Sequence, residues 1–417
     1  MDVNVKMWGT KVGVLRFNEE HNTSAFQYDR AFQKSRIELS PILMPLSDAT
    51  YAFGKEIPSN YGLPPLLRDS LPDTYGNKVI NLYLASLGRE ENSLNPAERL
   101  LYEGKRGMGA LEFEPAKSDL SLSSSIDIDA LAKIADDVYE ERKAFHAEDI
   151  QALISVSTSA GGARTKAVVQ YNPDTHEFKS GQVDECSPGF DFCLIKFDNM
   201  KEEAYFTRIE YAYYLMARDC GIDIRDSYLL SINGKYHFLT KRFDRIIKNG
   251  KVQKIHVQTL ASLYGLDYDV PCQIDYEEVF NVLKRLKIPN KNEQWFRRMV
   301  FNAVMRNQDD HVKNTSFVMD RKGVWDLSNA YDLTYANDPP NRWLSAHQMS
   351  IHGKSKGIEL SDLLAVAKKV NILEAKALEI IDEIQKVARS FAAYAKKAHL
   401  PKAVAERLAK EFLYFDL

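Results

Sequence analysis

The chain has 417 residues, 45% of them hydrophobic and 27% charged, with a formal net charge of -3 at pH 7. This length exceeds what one hydrophobic core ordinarily organises, so we expect two or three domains with a globular composition. The near balance of charge argues against a nucleic-acid footprint over the whole chain, although it is compatible with a local basic patch.

Cysteine content and the start of the chain bear on the compartment. The four cysteines, Cys186, Cys193, Cys220 and Cys272, include no C-x-x-C pair, which favours free thiols in a reducing compartment. The first residues lack a charged start followed by an apolar run, so no signal peptide is predicted. No apolar stretch is long enough to span a bilayer. We therefore expect a cytoplasmic protein.

The first part of the chain predicts a small α/β unit. Residues 3–28 alternate as antiparallel strands around a polar turn, as half-buried strands do. Residues 41–75 are rich in Pro, Gly and Asp and predict ordered loop. Helices are expected at 78–87 and 96–101, before a closing strand at 107–113.

A glycine-rich segment follows a helix expected near 128–148. It reads Ser159-Ala-Gly-Gly-Ala-Arg-Thr-Lys166 and leads into a strand at 167–171. The glycine pair would let the backbone approach an anion, and Arg164 and Lys166 add positive charge. The segment is neither G-x-x-x-x-G-K-[ST] nor G-x-G-x-x-G, so by itself it favours an ordinary turn over a phosphate-binding loop.

The strand predicted at 192–197 carries one cation, Lys196, within an apolar run. A lysine there either reaches water from a sheet edge or is held for an anionic partner such as a nucleotide phosphate. Glu210 lies in the helical run 210–218, where it could pair with Lys196 or face solvent. The sequence leaves both alternatives open.

A β-hairpin is predicted over 227–243, because Asn233-Gly234 separates two alternating runs. Its second strand ends in Lys241-Arg242-Phe243. This segment fits either a hinge whose backbone and aromatic ring contact a nucleotide base, or a strand end with a core aromatic. One sequence does not separate these alternatives.

The most informative stretch runs from 294 to 332. Apolar residues at 295, 296, 299, 300, 303 and 304 predict one buried helix face. The polar loop Asp309-Asp-His-Val-Lys-Asn314, a predicted hairpin and Asp332 follow. Phosphoryl transfer needs a residue that orients an acceptor hydroxyl and oxygen ligands for magnesium, and Asp309, Asn314 and Asp332 are suitable types. Turn formation and capping are the alternative for such a loop, and His311 fits a ligand, a base or a loop-holding hydrogen bond.

Helical periodicity dominates the C-terminal part, at 359–370, 374–397 and 402–412. The pattern as a whole predicts an α+β fold. The expected division, with a small polar linker after the first unit, is an N-terminal subdomain at 1–116, a linker at 117–127, a sheet-rich lobe at 128–245 and a helical lobe at 246–417.

Taken together, the motifs resemble the HipA family of bacterial toxin kinases, in the same order along nearly the whole chain. Asp309 to Asn314 resembles the family's D-x-H-x-K-N loop, and Tyr331-Asp332 its second metal-binding element. The segment 159–166 is similar to its phosphate loop, and 241–245 to its hinge, although Lys241 stands where the family often has an acid. The resemblance implies a two-lobed protein-kinase-like fold with a small N-terminal α/β subdomain and a helical C-lobe.

The resemblance also implies roles for individual residues. Asp309 would act as base or orient the acceptor hydroxyl, and Asn314 and Asp332 would hold magnesium. Lys196 would contact the α- and β-phosphates of ATP. The remaining nucleotide contacts would come from Gly161, Gly162, Ala163, Arg164, Thr165, Lys166, Lys241, Arg242, Phe243, His311 and Tyr331.

Regulation and partners enter only through the family. Ser159 occupies the place of a serine whose autophosphorylation silences the kinase, with Ser157 and Thr158 as alternatives. The implied partner is a HipB-like helix-turn-helix antitoxin, through which the chain would meet DNA indirectly. An aminoacyl-tRNA synthetase is the implied substrate.

We therefore expect an ATP- and magnesium-dependent serine/threonine protein kinase that is the toxin of a toxin–antitoxin pair. A small-molecule or lipid kinase could use the same D-x-H-x-x-N site. A catalytically silent scaffold in a DNA-bound repressor complex is a further alternative.

Overall fold

The computed structural model describes residues 1–116, 126–139, 152, 153, 156, 164–198, 205–248 and 250–417. Within this part of the chain, mixed sheets and helices confirm the predicted α+β class. None of the described helices is both long and apolar enough to cross a membrane. All four cysteines are free thiols, as predicted.

The N-terminal region is a five-stranded antiparallel sheet with short helices packed on it. Its strands are β1 (Asp2–Met7), β2 (Thr10–Asn18), β3 (Thr23–Tyr28), β4 (Thr50–Phe53) and β5 (Leu111–Glu114), in the spatial order β4-β3-β2-β1-β5. The helices are α1 (Arg30–Gln33), α2 (Pro65–Arg68), α3 (Thr74–Ser86) and α4 (Pro96–Glu103). Buried and exposed residues alternate along β1 and β3, which is the pattern that predicted them.

The second sheet lies in the region predicted as the sheet-rich lobe. Its order is β7-β6-β8-β10-β9, and all described pairs are antiparallel. The strands and two neighbouring helices are β6 (Lys166–Tyr171), β7 (Phe178–Ser180), β8 (Asp191–Lys196), β9 (Ser227–Ile232), β10 (Lys235–Lys241), α5 (Ile128–Tyr139) and α6 (Phe206–Asp219). Strand β8 is central, so Lys196 does not lie on a sheet edge.

The C-terminal part is mainly helical, as predicted, but it also carries short strands that the sequence did not indicate. A hairpin of β11 (Arg245–Lys248) and β12 (Lys251–Lys254) precedes β13 (His256–Thr259). Strand β13 pairs with β14 (Ser316–Met319), and β14 pairs with β15 (Trp325–Leu327). The predicted hairpin after the polar loop is therefore part of a three-stranded sheet.

The remaining described elements of this part are helices. They are α7 (Leu260–Tyr264), α8 (Tyr276–Arg285), α9 (Asn292–Val304), α10 (Leu360–Lys369), α11 (Glu374–Arg389), α12 (Phe391–Lys397) and α13 (Lys402–Glu411). The apolar face predicted for α9 is buried. The predicted helix 374–397 is two helices, α11 and α12, which meet at Ser390.

The N-terminal region packs against both lobes. Its sheet shares one hydrophobic cluster with α6, α8, α9 and α11. Tyr75, Val79 and Ile80 of α3 belong instead to the cluster under the second sheet, together with Ala167 and Ile195. The N-terminal region thus contributes to the hydrophobic clusters of both lobes.

The segment after β10 is held by a buried charge cluster. The Asp244 carboxylate accepts hydrogen bonds from Arg242 (Nε, 2.8 Å), Arg245 (Nη1, 2.7 Å) and the Gly109 amide (2.7 Å). Burial opposes ionisation of Asp244, but the two guanidinium groups hold its pKa well below the ordinary range. Gly109 has φ +81°, and a Cβ there would lie 3.1 Å from the Val257 amide nitrogen, which explains a glycine at this contact.

A buried carboxylate in the same neighbourhood gives a test of pH dependence. Glu103 is 1% exposed, and neither of its carboxylate oxygens has a hydrogen-bond partner among the described residues. Burial raises the pKa of Glu103 to about 7, although Arg106 and Arg242 oppose the shift. Between these two pH values the folded protein therefore keeps the Glu103 proton, whereas the unfolded chain, in which the pKa is about 4.3, has already released it. Stability from this group is complete below the unfolded value and is lost as the pH rises through about 7.

We expect Glu103→Gln to stabilise the protein at pH 8, by at most about 3 kcal/mol, and to bring no gain at pH 4. Urea denaturation of both proteins across this pH range measures the difference. Glu90→Gln is the matched control, because Glu90 is exposed. An equal response of the two variants at pH 8 would contradict the destabilising effect assigned to the buried Glu103 carboxylate.

Candidate active site

The centre of the site is an ion-pair network between three segments. Lys196, at the end of β8, donates from Nζ to Glu210 Oε1 on α6 at 2.6 Å and also to Asp332 Oδ1. Lys196 is 8% exposed and Glu210 is 5% exposed. The structure thus shows that Lys196 does not reach water from a sheet edge but pairs with two carboxylates, and that Glu210 is one of them rather than a solvent-facing acid.

The charges in this network set each other's protonation. Burial would raise the pKa of Asp332, but the ammonium groups of Lys196 and Lys166 hold it well below its ordinary range. Burial would lower the pKa of Lys196, yet Asp332 and Glu210 raise it above the usual value. Both groups therefore stay ionised at neutral pH. Burial and the nearby Lys196 lower the pKa of Lys166 to about 8, against the pull of Asp332, Asp73 and Glu210.

The polar loop after α9 is folded around its own hydrogen bonds. Asn314 Nδ2 donates to the Asp309 carbonyl oxygen at 2.8 Å, and the Asn314 amide donates to the His311 carbonyl at 2.8 Å. His311 Nδ1 accepts from the Lys313 amide at 3.2 Å. His311 therefore contributes to holding the loop, which was one of the alternatives left open by the sequence.

Asp309 and Asp310 are adjacent in sequence but differ in environment. The Asp309 side chain is 45% exposed, and its carboxylate lies 3.7 Å from His311 Nε2. Partial burial raises the pKa of Asp309, with further contributions from the charges of Asp332 and Asp310, while His311 opposes the shift. Asp309 is thus the accessible acid of the loop.

The Asp310 side chain is buried and fully hydrogen-bonded. It accepts from the Tyr276 hydroxyl (2.6 Å), His347 Nδ1 (2.7 Å) and the Gln348 amide (2.7 Å). These contacts tie the loop to α8 and to the segment near 348. The sequence did not indicate this structural role, because the partners are distant in the chain.

Tyr331 connects the second acid to the loop. Its hydroxyl donates to the Lys313 carbonyl oxygen at 2.6 Å, and its ring stacks on Phe243 with centroids 5.6 Å apart. Tyr331 precedes Asp332, and Lys313 precedes Asn314, so the two candidate metal ligands leave from adjoining backbone segments. Asp332 itself has φ +52°, a conformation uncommon for a residue with a side chain.

The donor set fits a magnesium ion shared with a nucleotide. Asn314 offers an amide oxygen and Asp332 a carboxylate, and magnesium takes a few protein oxygens together with phosphate and water oxygens. Among the described residues there is no cluster of three or more His, Cys, Asp or Glu suited to hold a metal by themselves. Phosphate and water oxygens would fill the remaining positions around an ion at Asn314 and Asp332.

The segment similar to a hinge is tied to the sheet by its backbone. The Lys241 amide donates to the Asp226 carbonyl (2.9 Å) and the Arg242 amide to the Phe192 carbonyl (2.8 Å). The Lys241 side chain pairs with Asp191 at 3.0 Å and with Asp226, and the Arg242 side chain pairs with Asp244. A base contact from this segment would then use the carbonyl oxygens or Phe243.

The phosphate-loop candidates are only partly described. The Arg164 guanidinium lies 3.5 Å from the centroid of the Phe206 ring, and the Thr165 carbonyl accepts from the Phe197 amide at 3.1 Å. Lys166 is opposite Lys196 in the β6–β8 register. Ser157, Thr158, Ser159, Gly161, Gly162 and Ala163 lie outside the described residues.

A sheet lysine paired with a helix glutamate, together with a loop that carries Asp309 and Asn314, places the chain among proteins with a two-lobed kinase-like fold. A family model described as "HipA-like C-terminal domain" matches residues 158–391, and one described as "HipA N-terminal domain" matches residues 3–114. The chain belongs to the HipA family.

Two similar proteins support the same placement. The structure of "Shewanella oneidensis MR-1 Toxin Antitoxin System HipA, HipB and its operator DNA complex" matches with a TM-score of 0.67 and 17% identity, covering 98% of this chain and 94% of that chain. At this identity the likeness shows a shared fold. The protein "Putative kinase Y4dM" of Sinorhizobium fredii (strain NBRC 101917 / NGR234) is 27% identical over 140 residues, which are 30% of this chain and 32% of that protein. The match therefore spans about a third of this relative's length.

Proposed function

We propose that the protein is an ATP- and magnesium-dependent serine/threonine protein kinase, acting as the toxin of a toxin–antitoxin pair. The observation that carries the proposal is the buried Lys196–Glu210 pair with Asp332 as the second partner of the lysine. This arrangement provides a cation for phosphates and a carboxylate for magnesium in one place. Family membership supports it.

Each residue of the candidate site has a separate role in the proposed phosphoryl transfer. Glu210 holds Lys196 from α6, so the ammonium can contact a phosphate oxygen in place of Asp332 without losing its position. Asp309 is exposed enough to accept a hydrogen bond from a substrate hydroxyl, and its raised pKa makes it a better proton acceptor than an ordinary aspartate. Magnesium held by Asn314 and Asp332 would neutralise charge on the transferred phosphoryl group.

Autophosphorylation and partners are further parts of the proposal. A phosphate on Ser159 would add nearly two negative charges beside the ATP phosphates, so repulsion would move the segment and inhibit the kinase. A helix-turn-helix antitoxin is proposed because the Shewanella structure contains HipA with HipB and operator DNA. An aminoacyl-tRNA synthetase is proposed as substrate from the family resemblance.

The function is tested by incubating the protein with γ-labelled ATP, magnesium and a bacterial lysate. We expect label in one or a few discrete protein bands, on serine or threonine, and phosphate within residues 157–159 by mass spectrometry of the protein itself. Label confined to the lipid or small-molecule fraction would favour the rival kinase class. The absence of magnesium-dependent ATP binding by calorimetry would favour the silent scaffold.

A further inference from the structure

An ion pair connects the N-terminal region to the polar loop of the candidate active site. Lys313 Nζ donates to both Asp73 oxygens, at 2.6 and 2.7 Å. The Lys313 and Asp73 side chains are 17% and 13% exposed. The two residues are 240 positions apart in the chain, so only the tertiary fold brings them together.

The ion pair is enclosed by a second cation and an aromatic ring. Lys313 Nζ lies 4.4 Å from the Tyr268 ring centroid, and the Arg68 guanidinium lies 5.1 Å from the same centroid. Arg68 Nη2 also approaches Asp73 Oδ1 at 3.4 Å and bonds the Tyr268 hydroxyl. These contacts restrict the positions open to both the carboxylate and the ammonium group.

The segment that carries Asp73 is fastened to the C-terminal part at a second place. Asp69, which follows α2, accepts from the Thr259 amide at 2.7 Å and the Thr259 hydroxyl at 2.8 Å. Thr259 ends β13, which pairs with β14 directly after the polar loop. The N-terminal region therefore contacts the polar loop at Lys313, and it also contacts β13, the partner of the strand that follows the loop.

Lys313 transmits this restraint to the reacting groups. Its carbonyl oxygen accepts from Tyr331, next to Asp332, and its amide donates to His311. The following residue, Asn314, bonds the Asp309 carbonyl. A shift of Lys313 therefore displaces both a candidate metal ligand and the candidate base.

We propose that Asp73 is a positioning residue, through which the N-terminal region sets the geometry of Asp309 and Asn314 by its ion pair with Lys313. The inference rests on the proposed function only for its catalytic consequence. A misplacement of about 1 Å in a catalytic group costs on the order of 10²-fold in rate. The loss should therefore fall mainly on kcat, because a displaced Asp309 changes the transfer step.

The test compares Asp73→Asn, Lys313→Met and the double variant with Glu114→Gln. Glu114 forms an ion pair with Lys6 inside the N-terminal region, which makes this variant a matched control. We expect each single variant to lower kcat for phosphate transfer by roughly 10- to 100-fold, with a smaller change in the KM for ATP. The double variant should lose no more than the worse single variant, because both remove the same contact. Asp73→Glu, which keeps the charge, should restore part of kcat.

Hydrogen exchange of the peptide spanning 309–314 provides a readout that needs no activity. The Asn314 amide is hydrogen-bonded to the His311 carbonyl, and Asp73→Asn should speed exchange in this peptide on the order of tenfold, relative to Glu114→Gln. If the wild-type protein transfers no phosphate but exchange responds in this way, the proposed function fails while the positioning role stands. The role is overturned if Asp73→Asn matches Glu114→Gln in both kcat and exchange. It is also overturned if Asp73→Glu and Asp73→Asn lower kcat and the melting temperature alike.

Discussion

Asp332→Asn is expected to lower phosphate transfer by about 10³-fold and to remove the magnesium-dependent part of ATP binding. The carboxylate of Asp332 is ionised at neutral pH because Lys196 and Lys166 lower its pKa. An amide at this position keeps the shape but removes the charge that a magnesium ion requires. Lys196 would remain paired with Glu210, so the small lobe should stay folded.

The experiment combines a transfer assay with ATP calorimetry in the presence and absence of magnesium. Asp326→Asn is the matched control, since Asp326 is an exposed aspartate on β15, the strand that precedes Asp332 in the chain. A variant at 332 that bound magnesium-ATP and transferred phosphate as well as the Asp326 control would refute the metal-ligand assignment.

Asp309→Asn is expected to lower kcat without loss of stability, whereas Asp310→Asn is expected to lower stability. The first should lower kcat by at least about 10²-fold with an unchanged melting temperature, because Asp309 is half-exposed and would act on the acceptor hydroxyl. The second should destabilise the protein by about 1–3 kcal/mol. The NH2 group of the new amide is a donor, and it would face the hydrogen-bond donors of Tyr276, His347 and Gln348.

Thermal unfolding and transfer kinetics on the same preparations distinguish the two aspartates. Each variant serves as the control for the other, since the substitution is the same and the positions are adjacent. The assignment would be reversed if Asp309→Asn lost stability while Asp310→Asn kept its fold and lost only kcat.

The sequence predicted elements well where one buried face repeats at a regular interval. The apolar face of α9 and the alternating strands of the first sheet are examples. It predicted less where contacts between distant segments determine the structure. Strand β13 is short and becomes a strand by pairing with β14. The break at Ser390 within the predicted C-terminal helix also went unpredicted.

The candidate site shows the same division. Local pattern was enough to name Asp309, Asn314 and Asp332 as candidates, since the loop and hairpin that separate them are short, but it left turn formation and capping as an alternative. It could not show whether Lys196 meets Glu210, because this depends on how α6 packs against β8. Nor could it show that the Arg242 side chain forms a buried ion pair with Asp244.

The sequence by itself determined the α+β class, the order of the motifs and the residue types suited to phosphoryl transfer. Periodicity and short spacings are local properties, so they can be recognised from the sequence without the tertiary structure. Only the tertiary structure decided that Lys196 has two carboxylate partners, that Asp310 is buried beside the exposed Asp309, and that Asp73 reaches Lys313. Each of these depends on burial and on charges brought together from distant parts of the chain, and both arise only when the lobes pack.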